Sequence, residues 1–152
     1  MALICGFYLN ELLIRLLHRD DPHEQLFDYY QDTLSALNTQ QDYTPILRQF
    51  ERRMLIELGY ALTLNEDVVS GKLLNSHEEY YYEVERGPIA ANGKDGISCP
   101  RLRGKTLLDM EKNDYSDTVT RQQSKVLMRY ILGHYLGEKP LYSRQLLGVM
   151  QT

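Results

Sequence analysis

Apolar positions along this chain first recur with a helical period, then lose it, then recover it. Within residues 3–17, Leu9, Leu12, Leu13, Leu16 and Leu17 fall at i, i+3, i+4, i+7 and i+8, a full apolar helix face. Asp21-Pro22-His23-Glu24 reads as the start of a second helix, with the aspartate as cap and the glutamate reaching back. That helix is expected to run to about Asn38 on a stripe of Phe27, Tyr30, Leu34 and Leu37. A third is predicted between Thr44, as cap with Pro45 in the first helical position, and the stop at Gly59. Its stripe is Leu47, Phe50, Met54 and Leu58, with Arg48, Arg52 and Arg53 off it. The short connections make these three helices antiparallel neighbours.

From Ala61 the period changes. Residues 62–75 show no repeat, whereas Tyr80 to Val84 is rich in strand formers and is followed by a turn at Arg86-Gly87 and a second run, Pro88 to Ala91. This predicts a small hairpin, and residues 92–100 read as a surface loop. A short helix over 103–112 can use Leu107, Leu108 and Met110. Ser116 or Asp117 then caps a long helix ending at Leu136 with Gly137 as its stop. At ~100° per residue, Arg121, Lys125 and Arg129 form one basic stripe, and Val126, Tyr130, Ile131 and His134 gather opposite. Ser143 can cap a last helix with Leu146, Leu147 and Met150 apolar. The expectation is one mainly α domain over 1–152, a helical bundle with a small β-hairpin or irregular insertion at 62–100.

Composition narrows the class. With 43% apolar and 25% charged residues the chain is globular, not disordered. No apolar run approaches the ~18 to 20 residues a membrane span needs, and the first residues lack a basic leader, so the expected location is cytoplasmic, with no membrane partner. Cys5 and Cys99 alone imply neither a disulfide framework nor a metal site. The net charge of −4 argues against a free-standing nucleic-acid binder. Its distribution is uneven: residues 1–100 hold 8 Lys+Arg against 16 Asp+Glu, and residues 101–152 hold 9 against 5. An anion-binding surface therefore belongs to the last third, with Lys139 and Arg144 adding to the stripe.

Catalytic patterns fail on spacing. Gly104-Lys105-Thr106 resembles the end of a phosphate loop, but the position of its first glycine is Cys99. His77-Glu78-Glu79-Tyr80-Tyr81 lacks the second histidine of a zinc protease helix, and His18, His23 and His134 lie on separate elements. No serine sits in a nucleophile elbow. No enzyme and no cofactor is expected. The run Tyr80 to Tyr82 invites base stacking, but Glu78, Glu79, Glu83 and Glu85 around it would repel phosphate, which favours strand packing.

Four pieces, in order, resemble the C-terminal domain of the bacterial recombination mediator RecO. They are Gly6 to Leu13 with Leu26 to Tyr30; Leu47-Arg48-Gln49-Phe50-Glu51 running to Leu58-Gly59-Tyr60; Gly104 with Leu107 and Leu108; and Tyr135 to Arg144. The resemblance implies a two-part protein in which an N-terminal OB-fold, expected to be absent here, precedes the helical domain and makes the main DNA contacts. It further implies DNA annealing, work with RecR, and loading of RecA onto DNA coated by single-stranded-DNA-binding protein.

That coat protein ends in an acidic tail closed by phenylalanine, which the resemblance docks on the helical domain. Such a tail needs an apolar pocket for the ring and a cation for its carboxylate. Arg48, at the family's basic position, is the expected cation, with Phe27, Leu47 and Phe50 as the pocket. Arg121, Lys125, Arg129, Lys139 and Arg144 form a secondary DNA or anion surface; on the alternative reading that stripe makes the domain a nucleic-acid binder in its own right. The four-cysteine zinc module that some members of the family carry is not expected, since Cys99 stands alone in that region, and Arg48-Gln49 stands where others have a basic pair.

Overall fold

The computed structural model describes residues 1–94 and 96–150, with side chains through Leu146. Three helices open the chain: α1 (Ala2–Leu16), α2 (Glu24–Thr39) and α3 (Tyr43–Glu57). Strands β1 (Glu79–Glu83), β2 (Gly87–Ala90) and β3 (Arg101–Arg103) follow, then α4 (Gly104–Glu111), α5 (Thr118–Leu136) and α6 (Tyr142–Met150). This is the mainly helical architecture with a small β insertion that the periodicity predicts. Among the described residues no helix is long and apolar enough to cross a membrane.

The helix ends show which capping rules apply. Gly59 takes φ +86°, and Tyr60 N–H donates to the Leu55 carbonyl at 2.7 Å while Gly59 N–H donates to Ile56 at 3.0 Å. That is a Schellman close, which needs a left-handed residue where glycine sits. At the other end of α3 the cap is Asp42, not Thr44, and Pro45 occupies the third helical position. A proline is harmless there, because the first-turn N–H groups have no intrahelical acceptor. The predicted Asp21 capping box does not form: His23 is the α2 cap and Glu24 already the first helical residue. Asp117 does cap α5, accepting from Thr120 N–H at 2.8 Å. Backbone and hydroxyl bonds from Thr120, with Arg103 beside it, hold its carboxyl down to about 2.

Two buried faces differ from the expected stripes. On α2, Leu26, Thr33 and Leu37 turn inward, while Phe27 is 59% exposed. On α5 the buried set is Thr120, Ser124, Leu127, Met128, Ile131 and Leu132, with Val126 exposed and His134 half exposed beside Glu85. In α6, Leu147 and Met150 have side chains outside the described residues.

The core joins the bundle to the insertion. Leu9 and Leu12 from α1, Phe50, Met54 and Leu55 from α3, and Leu127, Met128, Ile131 and Leu132 from α5 share one cluster with Tyr80, Tyr82 and Leu102. The insertion is a three-stranded antiparallel sheet in the order β2-β1-β3. The short third strand was not anticipated. Tyr80, Tyr81 and Tyr82 are all buried, the first and last in the core and Tyr81 under the loop, where its hydroxyl donates to the Lys94 carbonyl. These rings pack the strand and offer no free face for bases.

Candidate functional site

Each guanidinium of α3 has a different task. Arg52 reaches the Met110 carbonyl and Asn113 Oδ1 at the end of α4, and Arg53 lies 5.6 Å over the Tyr29 ring. Arg48, only 7% exposed, turns the other way, toward the joint of α1, α5 and α6. A cavity of about 120 Å³ opens there, lined by Cys5 and Tyr8 of α1, Leu47 and Arg48 of α3, Lys125 and Arg129 of α5, and Arg144 of α6. A cavity of ~150 Å³ holds a benzene ring, so this one, open on one side, is of the scale of a single aromatic side chain.

Local sequence accounts for each member. Cys5 and Tyr8 are separated by three residues and Lys125 and Arg129 by four, so each pair shares a helix face. Arg144 is set by its helix start. The Glu11 carboxylate accepts from Tyr142 N–H at 2.6 Å and from Ser143 N–H and hydroxyl at 2.9 and 2.7 Å. It thereby caps α6 from α1 and leaves the Arg144 guanidinium 6.0 Å over the Tyr8 ring. Burial works against the charged Glu11, but those three bonds outweigh it and hold the carboxyl below its usual range.

Positive charge gathers at this cavity. Four cations from three helices converge on one small cavity. Lys125 feels them: burial pushes its ammonium pKa down, and Arg129, Arg48 and Arg144 push it further by repulsion. An arriving anion relieves that repulsion. Beneath the cavity lies Glu51, fully buried, whose Oε1 accepts from Arg48 Nη2 at 2.7 Å and from the Tyr8 hydroxyl at 2.6 Å. Burial raises the Glu51 pKa even though Arg48 and Tyr8 oppose it. The Tyr8 phenol is raised by burial and by the Glu51 charge, and burial lifts the Cys5 thiol as well.

Of the residues expected to bind the tail, Arg48 and Leu47 line this cavity and the other two do not. Phe50 is 0% exposed, stacked 6.1 Å from Tyr29, and cannot touch a ligand. Phe27 lies in a separate groove with Leu13, Ile14, Leu17 and Tyr30. The basic stripe also divides. Arg121 makes a two-pronged ion pair with Asp42, 2.7 and 2.8 Å, and bonds the Tyr115 carbonyl, so it ties α5 to the start of α3. Lys125, Arg129 and Arg144 join Arg48 instead, and the two anticipated surfaces become largely one. Lys139 is exposed on the α5–α6 connection and does not line the cavity. Among the described residues no cluster of His, Cys, Asp or Glu could hold a metal ion.

Residues 1–145 match the family model described as Recombination protein O C terminal. The chain belongs to the RecO C-terminal family. It is 61% identical over 153 residues to the DNA repair protein RecO of Nitrosospira multiformis, covering 99% of this chain and 62% of that protein. With the same-named protein of an Azoarcus species it shares 47% identity over 148 residues, 96% of this chain and 61% of the relative. With that of Paraburkholderia xenovorans the identity is 44% over 151 residues, 99% and 50%. The chain thus spans about three fifths or less of the length of these RecO relatives.

Within this RecO C-terminal domain, three site residues escaped the sequence reading: Cys5, Tyr8 and Glu51. Tyr8 and Glu51 lie inside the motifs that carry the RecO resemblance, but nothing in one sequence pairs residues 43 positions apart. A local signal did exist for Glu51, which stands three residues after Arg48 on the same helix face.

Proposed function

We propose that this domain is the adaptor of a RecO recombination mediator in DNA repair, and that the Arg48 cavity takes the acidic, phenylalanine-ending tail of single-stranded-DNA-binding protein. The observation that carries the reading is the convergence of Arg48, Lys125, Arg129 and Arg144 on a ring-sized cavity floored by Cys5, Tyr8 and Leu47. The terminal ring fills the floor, its carboxylate meets the Arg48 and Arg144 guanidinium groups, and the acidic residues before it lie along Lys125 and Arg129. Guanidinium suits the carboxylate because its planar fork can pair two oxygens at once. Docking of this kind places the mediator on coated DNA, where annealing and RecA loading take place, with RecR as the working partner. The main DNA contacts belong to the OB-fold that the resemblance implies, and the setting is the cytoplasm, at the nucleoid. The domain acts by binding, not by catalysis, and without a cofactor.

Calorimetric titration with a short acidic peptide ending in Pro-Phe tests this. Micromolar affinity, about −8 kcal/mol, is expected for the unmodified domain and is lost in Arg48→Glu. Absence of binding, or binding indifferent to Arg48→Glu, would sink the assignment. A nucleic-acid reading of the stripe is weakened by the Arg121–Asp42 pair, which removes one of its three cations. It also predicts a logarithmic salt slope of about −0.9 per phosphate contacted, steeper than ring burial allows.

A further inference from the structure

Beneath the cavity floor lies a carboxyl group that does not line the cavity. Glu51 is fully buried and one of its oxygens receives both the Arg48 guanidinium and the Tyr8 hydroxyl. Its other oxygen, Oε2, has no partner among the described residues, nor has Arg48 Nε. We propose that Glu51 is the positioning residue of the site: it holds Arg48 from behind and couples capture of an anionic tail to uptake of one proton. The inference rests on the tail-binding reading above.

Geometry gives the first half. Nη2 of Arg48 is anchored on Glu51 Oε1, which restricts the guanidinium, while its Nε stays buried and without a partner among the described residues. A guanidinium without that anchor would keep its charge and lose its orientation, and a two-oxygen pairing depends on orientation. Tyr8 is the third member, because its hydroxyl steadies the same oxygen while its ring forms the cavity floor below Arg144.

Charge gives the second half. The groups facing Glu51 and the cavity are Tyr8 and Cys5 from α1, Arg48 from its own helix, Tyr115 from the segment before α5, Lys125 and Arg129 from α5, and Arg144 from α6. By itself Arg48 favours ionised Glu51 against its burial. When a carboxylate arrives, Arg48 is shared between two anions, so the buried one is less supported and gains a proton. The folded carboxyl therefore has a higher pKa with the tail bound than without it. Affinity is then highest below that range and falls as pH rises through it. None of the four histidines lines the cavity to give the same effect.

The test is titration of the same Pro-Phe peptide in buffers of different ionisation enthalpy, from pH ~5 to ~8, with the unmodified domain, Glu51→Gln and Tyr8→Phe. Binding accompanied by proton uptake is expected, with affinity about threefold or more weaker at the upper pH. Glu51→Gln keeps the acceptor oxygen for Arg48, so it should still bind, with uptake and pH slope gone. Tyr8→Phe removes one bond that favours the carboxylate, and should move the uptake to higher pH, a readout that survives if Glu51→Gln fails to fold. Binding without uptake, or uptake unchanged in Glu51→Gln, overturns the coupling while leaving the tail site standing. No binding by the unmodified domain overturns both.

Discussion

Replacing Gly104 by alanine is a change of one methyl group, and the structure makes it costly. Gly104 opens α4 directly after β3, and a Cβ built there comes within 2.9 Å of the Asn75 carbonyl carbon and 3.0 Å of Tyr80 Cε2, and closer still to the Asn75 oxygen. The obstacle is backbone, which cannot swing aside as a side-chain tip can. Moving it threatens the bond that joins this segment to the helix start, Gly104 N–H to the Glu78 carbonyl at 2.7 Å, and the one that braces the segment itself, Asn75 N–H to the Tyr80 hydroxyl at 2.9 Å. Overpacking costs ~1–3 kcal/mol and each lost hydrogen bond ~0.5–1.5 kcal/mol. Against this stands the ~1 kcal/mol by which alanine is the better helix former. The net expectation is a loss of roughly 2–4 kcal/mol, which for a domain of this size lowers Tm by about 4–16 °C at ~2–4 °C per kcal/mol. Thermal unfolding followed by far-ultraviolet circular dichroism measures it. A variant whose Tm stays within 2 °C of the parent would show that the segment yields freely and that the close approach is not what requires glycine.

Two phenylalanines separate core from surface: Phe50→Ala should lose ~3–5 kcal/mol in urea unfolding, and Phe27→Ala less than ~0.5 kcal/mol with peptide affinity unchanged. Equal effects from the two would contradict the buried face assigned to α2 and α3. The Arg121–Asp42 pair is partly exposed, so a double-mutant cycle should give a coupling of only about 0.5–1 kcal/mol, fading with added salt. The Arg121 bonds hold the Asp42 carboxyl below its usual range even against its burial. Its contribution is therefore present above the ordinary aspartate pKa of ~3.9 and is lost as pH falls through the folded value. A coupling that strengthened as pH fell below the ordinary aspartate range would refute that sign.

The helices were legible because their apolar residues repeat and their breaks are chemically loud: Gly59, Gly137 and the Asp117 cap all stand where expected. The errors in the buried faces share one cause. Hydropathy assigns faces by apolar count, yet α2 buries Thr33 and α5 buries Thr120 and Ser124. Each hydroxyl is satisfied locally or across the joint: Thr33 on the Tyr29 carbonyl at 2.7 Å, Ser124 on the Arg121 carbonyl at 3.0 Å, Thr120 on Asp109 at 2.7 Å. Small residues with paired hydroxyls let α4 and α5 approach closely, and they rotate the buried face away from Val126. Strand β3 was invisible for another reason. Arg101-Leu102-Arg103 has one apolar residue, and only the partner strand makes it a strand, with Leu102 opposite Tyr80 and Arg101 paired to Glu79.

For the site, the sequence supplied the cations but not their company. Periodicity places Arg121, Lys125 and Arg129 on one face of α5, and it says nothing of what each turn of that face meets. The first turn meets Asp42 at the start of α3 and becomes a tie between helices. The next two turns meet Arg48, whose charge Glu51 balances from below, and Arg144, and Lys125 still registers the repulsion of Arg129, Arg48 and Arg144. Glu51 balances only one of the four cations around this cavity, and the repulsion that remains at Lys125 works against folding. A ligand that brings negative charge and an aromatic ring turns that cost into affinity. On the tail-binding reading proposed above, the cavity, and not the exposed stripe, is where the partner's tail is expected.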